Sequence, residues 1–188
     1  MLVGVSGSGK STLLKIIKKY LKVKNNMIFI DNIDINDYSN EAFSQISYIA
    51  QNELLFTDTI YENIDLYRDI GIREILDASS LCHVNSIFKS DLGLNSMIEE
   101  NGFNLSGGER QRIILARTIL NNSKIVLIDE GTNQLDVSLE RKILKGVFEK
   151  YKEKTFIVIS HRLDNLDLFN HFVKIEGGLI KEDVVYRK

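Results

Sequence analysis

The eight residues Gly4-Val5-Ser6-Gly7-Ser8-Gly9-Lys10-Ser11 constrain this chain more than any other stretch. They match G-x-x-x-x-G-K-[ST] in full, and their flanks put the match where it has physical meaning. Leu2 and Val3 read as the tail of a strand, and apolar residues at Leu13, Leu14, Ile16, Ile17 and Leu21 recur at helical spacing over Lys10 to Leu21. Glycines admit backbone conformations in which successive N–H groups converge on an anion, and the positive end of the following helix adds to the attraction. The pattern predicts a phosphate cradle in which Lys10 reaches the β- and γ-phosphates of a nucleotide and the Ser11 hydroxyl binds Mg²⁺. The alternative is a glycine-rich turn that happens to end in Lys-Ser, against which motif and context agree.

Such a loop needs a carboxylate at the end of a neighbouring strand to complete its metal site. Ile125-Val126-Leu127-Ile128-Asp129-Glu130 supplies one after an apolar run. Asp129 is the candidate Mg²⁺ partner, and Glu130 stands where a second carboxylate can orient and deprotonate an attacking water. Paired acids after a strand also make a solvated turn or a helix cap, a reading weakened by the phosphate loop in the same chain.

The remaining text reads as α/β. Strand-like runs recur at Met27 to Ile30, Ile46 to Ala50, Ile125 to Ile128, Phe156 to Ile159 and Phe172 to Ile175, and those at 125 and 156 are nearly all apolar, as in buried parallel strands. From about Ile60 to Leu105 the strand signal disappears, and stretches such as Ile72 to Phe88 read as helices. Helical patterns return at Ser106 to Leu120 and Ser138 to Tyr151, each leading into an apolar strand. The expected fold is a P-loop NTPase with a mainly parallel sheet flanked by helices, plus a helical subdomain inserted at about 60–122. A chain of 188 residues, 44% hydrophobic, is of single-domain size. Its 24 basic and 26 acidic residues are scattered, so no basic stripe points to nucleic acid as a partner. No run approaches the roughly 20 apolar residues that span a bilayer, so a membrane role is expected to be peripheral. The single cysteine, Cys82, fits a small apolar position in a helix.

The segment Leu105-Ser106-Gly107-Gly108-Glu109-Arg110-Gln111-Arg112 resembles the L-S-G-G-Q signature of the ATP-binding cassette (ABC) ATPases, with Glu109 in the usual Gln place. Physically it offers a hydroxyl, backbone N–H groups and a positive helix end to an anion, and Ser106 with Glu109 also makes a capping box. Capping explains why a helix starts there; it does not explain two glycines before a basic helix.

The resemblance runs from Leu2 to about Lys181 and carries further residues with it. It implies ATP as the nucleotide, bound by Gly4, Ser6, Gly7, Ser8, Gly9, Lys10, Ser11 and Thr12. It implies Gln51 as the glutamine that senses Mg²⁺ and water, His161 as the switch histidine at the γ-phosphate, and Asp136 as an aspartate that crosses a dimer interface. Asp136 also reads as an N-terminal helix acid before Ser138, and His83 and His171 read as structural or surface residues. In this family Ser106, Gly107 and Gly108 act on the nucleotide of a second ABC ATP-binding domain, so a homo- or heterodimer is implied. A transmembrane domain or subunit is the other implied partner, and the cytoplasmic face of the cell membrane the implied location.

Met97 to Leu105, with Glu100, and Leu54 to Ile64 resemble exporter text, particularly that of peptide and bacteriocin exporters. Gly131 and Asn133 stand where Ala and Ser are usual, and Gln134 where a small residue is. Only three residues precede Gly4, so the expectation is a domain incomplete at its amino end, with no aromatic residue upstream to stack on adenine and an open edge at the first strand. Two other readings remain: a regulatory cassette with little turnover, and a soluble, non-transport ABC ATPase.

Overall fold

The structure is a computed structural model that describes residues 1–87 and 92–186. The polypeptide folds as two compact units, the first made of Met1–Tyr48, Ser123–Asp129 and Lys154–Lys188 and the second of Ile49–Asn122 and Glu130–Glu153.

The sheet holds strands β1 (Leu2–Val3), β4 (Ile46–Ile49), β5 (Ile125–Asp129), β6 (Thr155–Ile159), β7 (His171–Glu176) and β8 (Leu179–Val185), in the order β4-β5-β6-β1-β7-β8. β5 with β6, β6 with β1 and β1 with β7 run parallel, and β7 with β8 antiparallel. The expected α/β fold, a mainly parallel sheet flanked by helices, is what forms. β1 is an interior strand, which corrects the expectation of an open edge at the start of the chain; the edges are β4 and β8. β8 joins β7 through Gly177 and Gly178, both at positive φ (58° and 76°), in a two-residue hairpin with Glu176 opposite Leu179. Strands β2 (Phe29–Ile30) and β3 (Ile33–Asp34) make a separate ribbon across Asp31 and Asn32, also at positive φ.

Leu2, Leu14, Ile35, Phe43, Ile46, Leu127 and Ile159 form one buried cluster beneath the phosphate-loop helix α1 (Lys10–Ile17). Each such side chain contributes about 1.5–3 kcal/mol on leaving water. The expected helix from Lys10 to Leu21 is shorter because it stops on Lys19, which adopts φ 62°. The Lys19 N–H bonds Ile16 O and the Tyr20 N–H bonds Lys15 O, each at 2.8 Å, which is the paired closure of a Schellman motif.

In the second unit, α2 (Ile60–Asp65) and α3 (Ile72–Leu81) pack on α4 (Gly107–Ile119), and α5 (Val137–Lys150) packs on α3. The helix expected over Ile72 to Phe88 continues past Leu81 only as a 3-10 turn, Val84–Ile87, and Phe88 lies outside the described residues. Cys82 caps α3 and is fully buried, so burial pushes its thiol pKa well above the ordinary value.

Candidate nucleotide-binding site

In the first unit, the carboxyl ends of three parallel strands carry the candidate groups, as open α/β sheets dictate. β1 ends at Val3 and feeds the loop at Gly4, β5 ends on Asp129, and β6 delivers His161 two residues past Ile159. The loop closes tightly against β7. Gly4 has φ 152°, and a Cβ there would lie 2.0 Å from the Ile175 carbonyl oxygen, so only glycine fits. Lys10 is buried, and its ammonium folds back to the carbonyls of Gly4 and Val5, each at 2.9 Å, and to Ser8 Oγ at 3.2 Å. The cation therefore lies inside the arc of the loop.

The Ser11 hydroxyl donates to Asp129 Oδ1 at 2.9 Å, joining groups 118 positions apart. Asp129 is almost wholly buried, and the Tyr48 hydroxyl on β4 donates to its Oδ2 at 3.0 Å. Tyr48 went unnoticed in the sequence because a tyrosine in an apolar strand reads as core. This pair of hard oxygen ligands at the start of α1 suits Mg²⁺, which takes few carboxylates and fills its shell with phosphate oxygens and water. Among the described residues no group of three or more His, Cys, Asp or Glu converges on a metal position. His161 is exposed, beside the buried Ser160, whose Oγ accepts the Arg162 N–H at 3.0 Å.

In the second unit, Glu130 and Gln51 meet. Gln51 Nε2 donates to Glu130 Oε2 at 3.0 Å, and Asn133 Nδ2 donates to the same oxygen at 2.9 Å. Glu130 adopts φ 56°, in the left-handed region, at the head of a turn. Gln111 of α4 spans that turn, donating to Glu130 O at 3.4 Å and accepting the Gln134 N–H at 2.9 Å. The sequence marks Asn133 only as standing where Ser is usual and Gln111 only as part of the signature segment, and assigns neither a role.

Ser106 caps α4 in a full capping box: its Oγ accepts the Glu109 N–H at 3.3 Å, and Glu109 Oε2 accepts the Ser106 N–H at 2.7 Å. The two glycines that capping leaves unexplained lie beside Gln134, the first against the end of its flexible, exposed side chain and the second against its backbone. A Cβ on Gly107 would run into the Gln134 amide at 1.6 Å, and one on Gly108 would come within 3.1 Å of the Gln134 carbonyl oxygen. Asp136 caps α5, accepting the Leu139 N–H at 2.8 Å and the Ser138 hydroxyl at 2.7 Å. These bonds hold its carboxyl pKa below the ordinary carboxylate value. A cavity of about 270 Å³ opens between the Gln51 segment, Phe103, Gln111 and Gln134.

A strand, a glycine loop closed on a lysine, and a strand-end aspartate bonded to the loop serine define the phosphate-binding α/β class. The comparisons sharpen that class. The ABC transporter family model matches residues 1–133, and the chain belongs to that family. It is 39% identical over 189 residues to the ATP-dependent lipid A-core flippase of Yersinia pestis, covering 98% of this chain and 32% of that protein. The flippase of the same name from Neisseria gonorrhoeae is 38% identical over 184 residues, covering 96% of this chain and 30% of that protein. Among solved structures, a bacterial Atm1-family ABC exporter with ATP bound superposes with a TM-score of 0.90 at 30% identity, over 98% of this chain and 33% of that one. The chain thus spans about a third of the length of the relatives it matches.

Proposed function

We propose that this chain binds and hydrolyses ATP, and that it powers transmembrane export by ATP-driven pairing with a second ABC ATP-binding domain. It is one ATP-binding domain, with the signature on its helical part at about 60–122, and it works at the cytoplasmic face of the cell membrane with a transmembrane domain or subunit. Among the described residues no helix is long and apolar enough to cross a membrane, so the crossing in this reading belongs to that partner. The observation that carries the reading is the Ser11–Asp129 hydrogen bond, which brings a loop hydroxyl and a strand-end carboxylate together as a Mg²⁺ site requires. The likeness to ATP-dependent exporters supports it.

ATP is the substrate. Gly4, Ser6, Gly7, Ser8, Gly9 and Thr12 supply the cradle, and Lys10 neutralises the phosphate charge. Mg²⁺, held by Ser11 and Asp129 with Gln51 sensing it, would polarise the phosphate oxygens. A water oxygen attacks the γ-phosphorus in line while Glu130 accepts the proton. The bond from the γ-phosphorus to the β,γ-bridging oxygen breaks, and its electron pair leaves with ADP. His161 and Lys10 stabilise the charge that develops. Ser106, Gly107, Gly108 and Asp136 act across the pair, on the partner's nucleotide.

Nucleotide binding and phosphate release by the full chain test this. Lys10→Ala is expected to lose MgATP binding, and Glu130→Gln to keep it while hydrolysis falls at least about 100-fold, the usual share of a general base. Wild-type hydrolysis by Glu130→Gln would overturn the assignment.

A further inference from the structure

The Glu130 carboxylate is gripped in an uneven way. Its Oε2 takes two amide donors, Gln51 Nε2 at 3.0 Å and Asn133 Nδ2 at 2.9 Å, which arrive from different parts of the chain. Gln51 is exposed, in a turn just past β4. Asn133 is half-buried in the turn that Glu130 itself opens, and its backbone N–H also bonds Glu130 O at 3.3 Å. That turn is fixed from several sides. The Leu135 N–H bonds Thr132 O at 3.1 Å, the buried Thr132 hydroxyl donates to the buried Glu140 Oε1 at 2.5 Å, and Gln111 ties Glu130 O to the Gln134 N–H. A glutamate side chain has three rotatable bonds, and a base must hold its carboxylate in one pose to meet its water. The rigid hold comes from Asn133 and the exposed one from Gln51.

We propose that Asn133 is a positioning residue, whose amide keeps the Glu130 carboxylate aimed when the Gln51 amide turns to another partner. Asn133 acts on the reaction only through Glu130, so the inference rests on Glu130 being the base. The amide N–H is the active feature: Asn133→Asp keeps the shape of the side chain, removes the donor and adds a charge that repels Glu130.

Steady-state hydrolysis by the full chain separates the outcomes, with Asn133→Ala, Asn133→Asp, Gln51→Ala, the Gln51→Ala/Asn133→Ala double variant and Glu130→Gln side by side. Asn133→Ala retains the backbone bond and removes only the amide. Its kcat is expected to fall roughly tenfold with KM for ATP changed less than about twofold, as lost orientation rather than lost binding requires. Asn133→Asp should fall further, at a melting temperature near that of wild type. The double variant should lose more than the product of the two single losses, because either amide alone still holds Oε2. Wild-type kcat in both Asn133 variants, or a raised KM at unchanged kcat, would overturn the proposal while leaving Glu130 as the base. Full activity in Glu130→Gln would overturn the base and this inference together.

Discussion

Arg117 shows how much a single residue in the second unit carries. It is a nearly buried cation on α4 whose Nε donates to Asn63 O at 2.7 Å, Nη2 to Asn63 Oδ1 at 3.1 Å and Nη1 to Leu54 O at 3.2 Å, with Glu53 at 3.7 Å. Burial lowers the guanidinium pKa, with Glu53 opposing, and burial likewise raises the Glu53 pKa against the pull of the Ala50 N–H and Arg117. At 3.7 Å the contact with Glu53 is too long for a hydrogen bond. The value lies in the hydrogen bonds, which tie the stretch after Gln51 to α2 and α4. Arg117→Ala would remove two buried hydrogen bonds to Asn63 and a part-buried one to Leu54 O, and is expected to cost roughly 3 kcal/mol, read as a lower urea midpoint. A loss under about 0.5 kcal/mol would contradict this. From sequence, Arg117 was one basic residue in a basic helix. Lys10, Ser11, Asp129 and Glu130 were legible because each belongs to a spaced motif. Tyr48, Gln111 and Asn133 were not, because their partners lie 81, 19 and three positions away and only the fold brings them together.

At the scale of elements, boundaries were legible where side chains set them. Ser106 and Glu109 announce the start of α4, and the helix opens one residue later. The end of α1 was not legible, because its Schellman closure uses Lys19 in a conformation that sequence assigns to glycine. β8 was missed although Gly177-Gly178 is a hairpin signal, because Lys181, Glu182 and Asp183 obscure the alternation of a strand exposed along its whole length. Ser106 caps α4, and the proposed function gives it a second duty that one pair of variants separates from the first. Ser106→Ala should cost about 1 kcal/mol of stability through the lost cap. Ser106→Asp keeps a capping oxygen and should melt near wild type, yet should lose most hydrolysis, since it sets a negative charge where the proposed function has the partner's phosphate received. Full hydrolysis by Ser106→Asp would confine Ser106 to capping.

At the scale of the molecule, the chain passes from one compact unit to the other between Asp129 and Glu130. The proposed metal ligand thus ends the sheet-bearing unit and the proposed base opens the helical one. The α/β order was legible from alternating apolar strands and amphipathic helices. The strand order was not, since nothing in a two-residue run such as Leu2–Val3 says that it lies inside the sheet between β6 and β7. The central claim is that one chain supplies the phosphate loop and another the signature, and it makes hydrolysis depend on encounter. The most direct test is the specific MgATPase rate of the purified chain as a function of its own concentration, with Glu130→Gln as the control. The account predicts a specific rate that rises with concentration toward a plateau and vanishes in the variant. A measurable rate that stays constant on dilution and is lost in the variant would mean that one chain completes the site alone, and would contradict it.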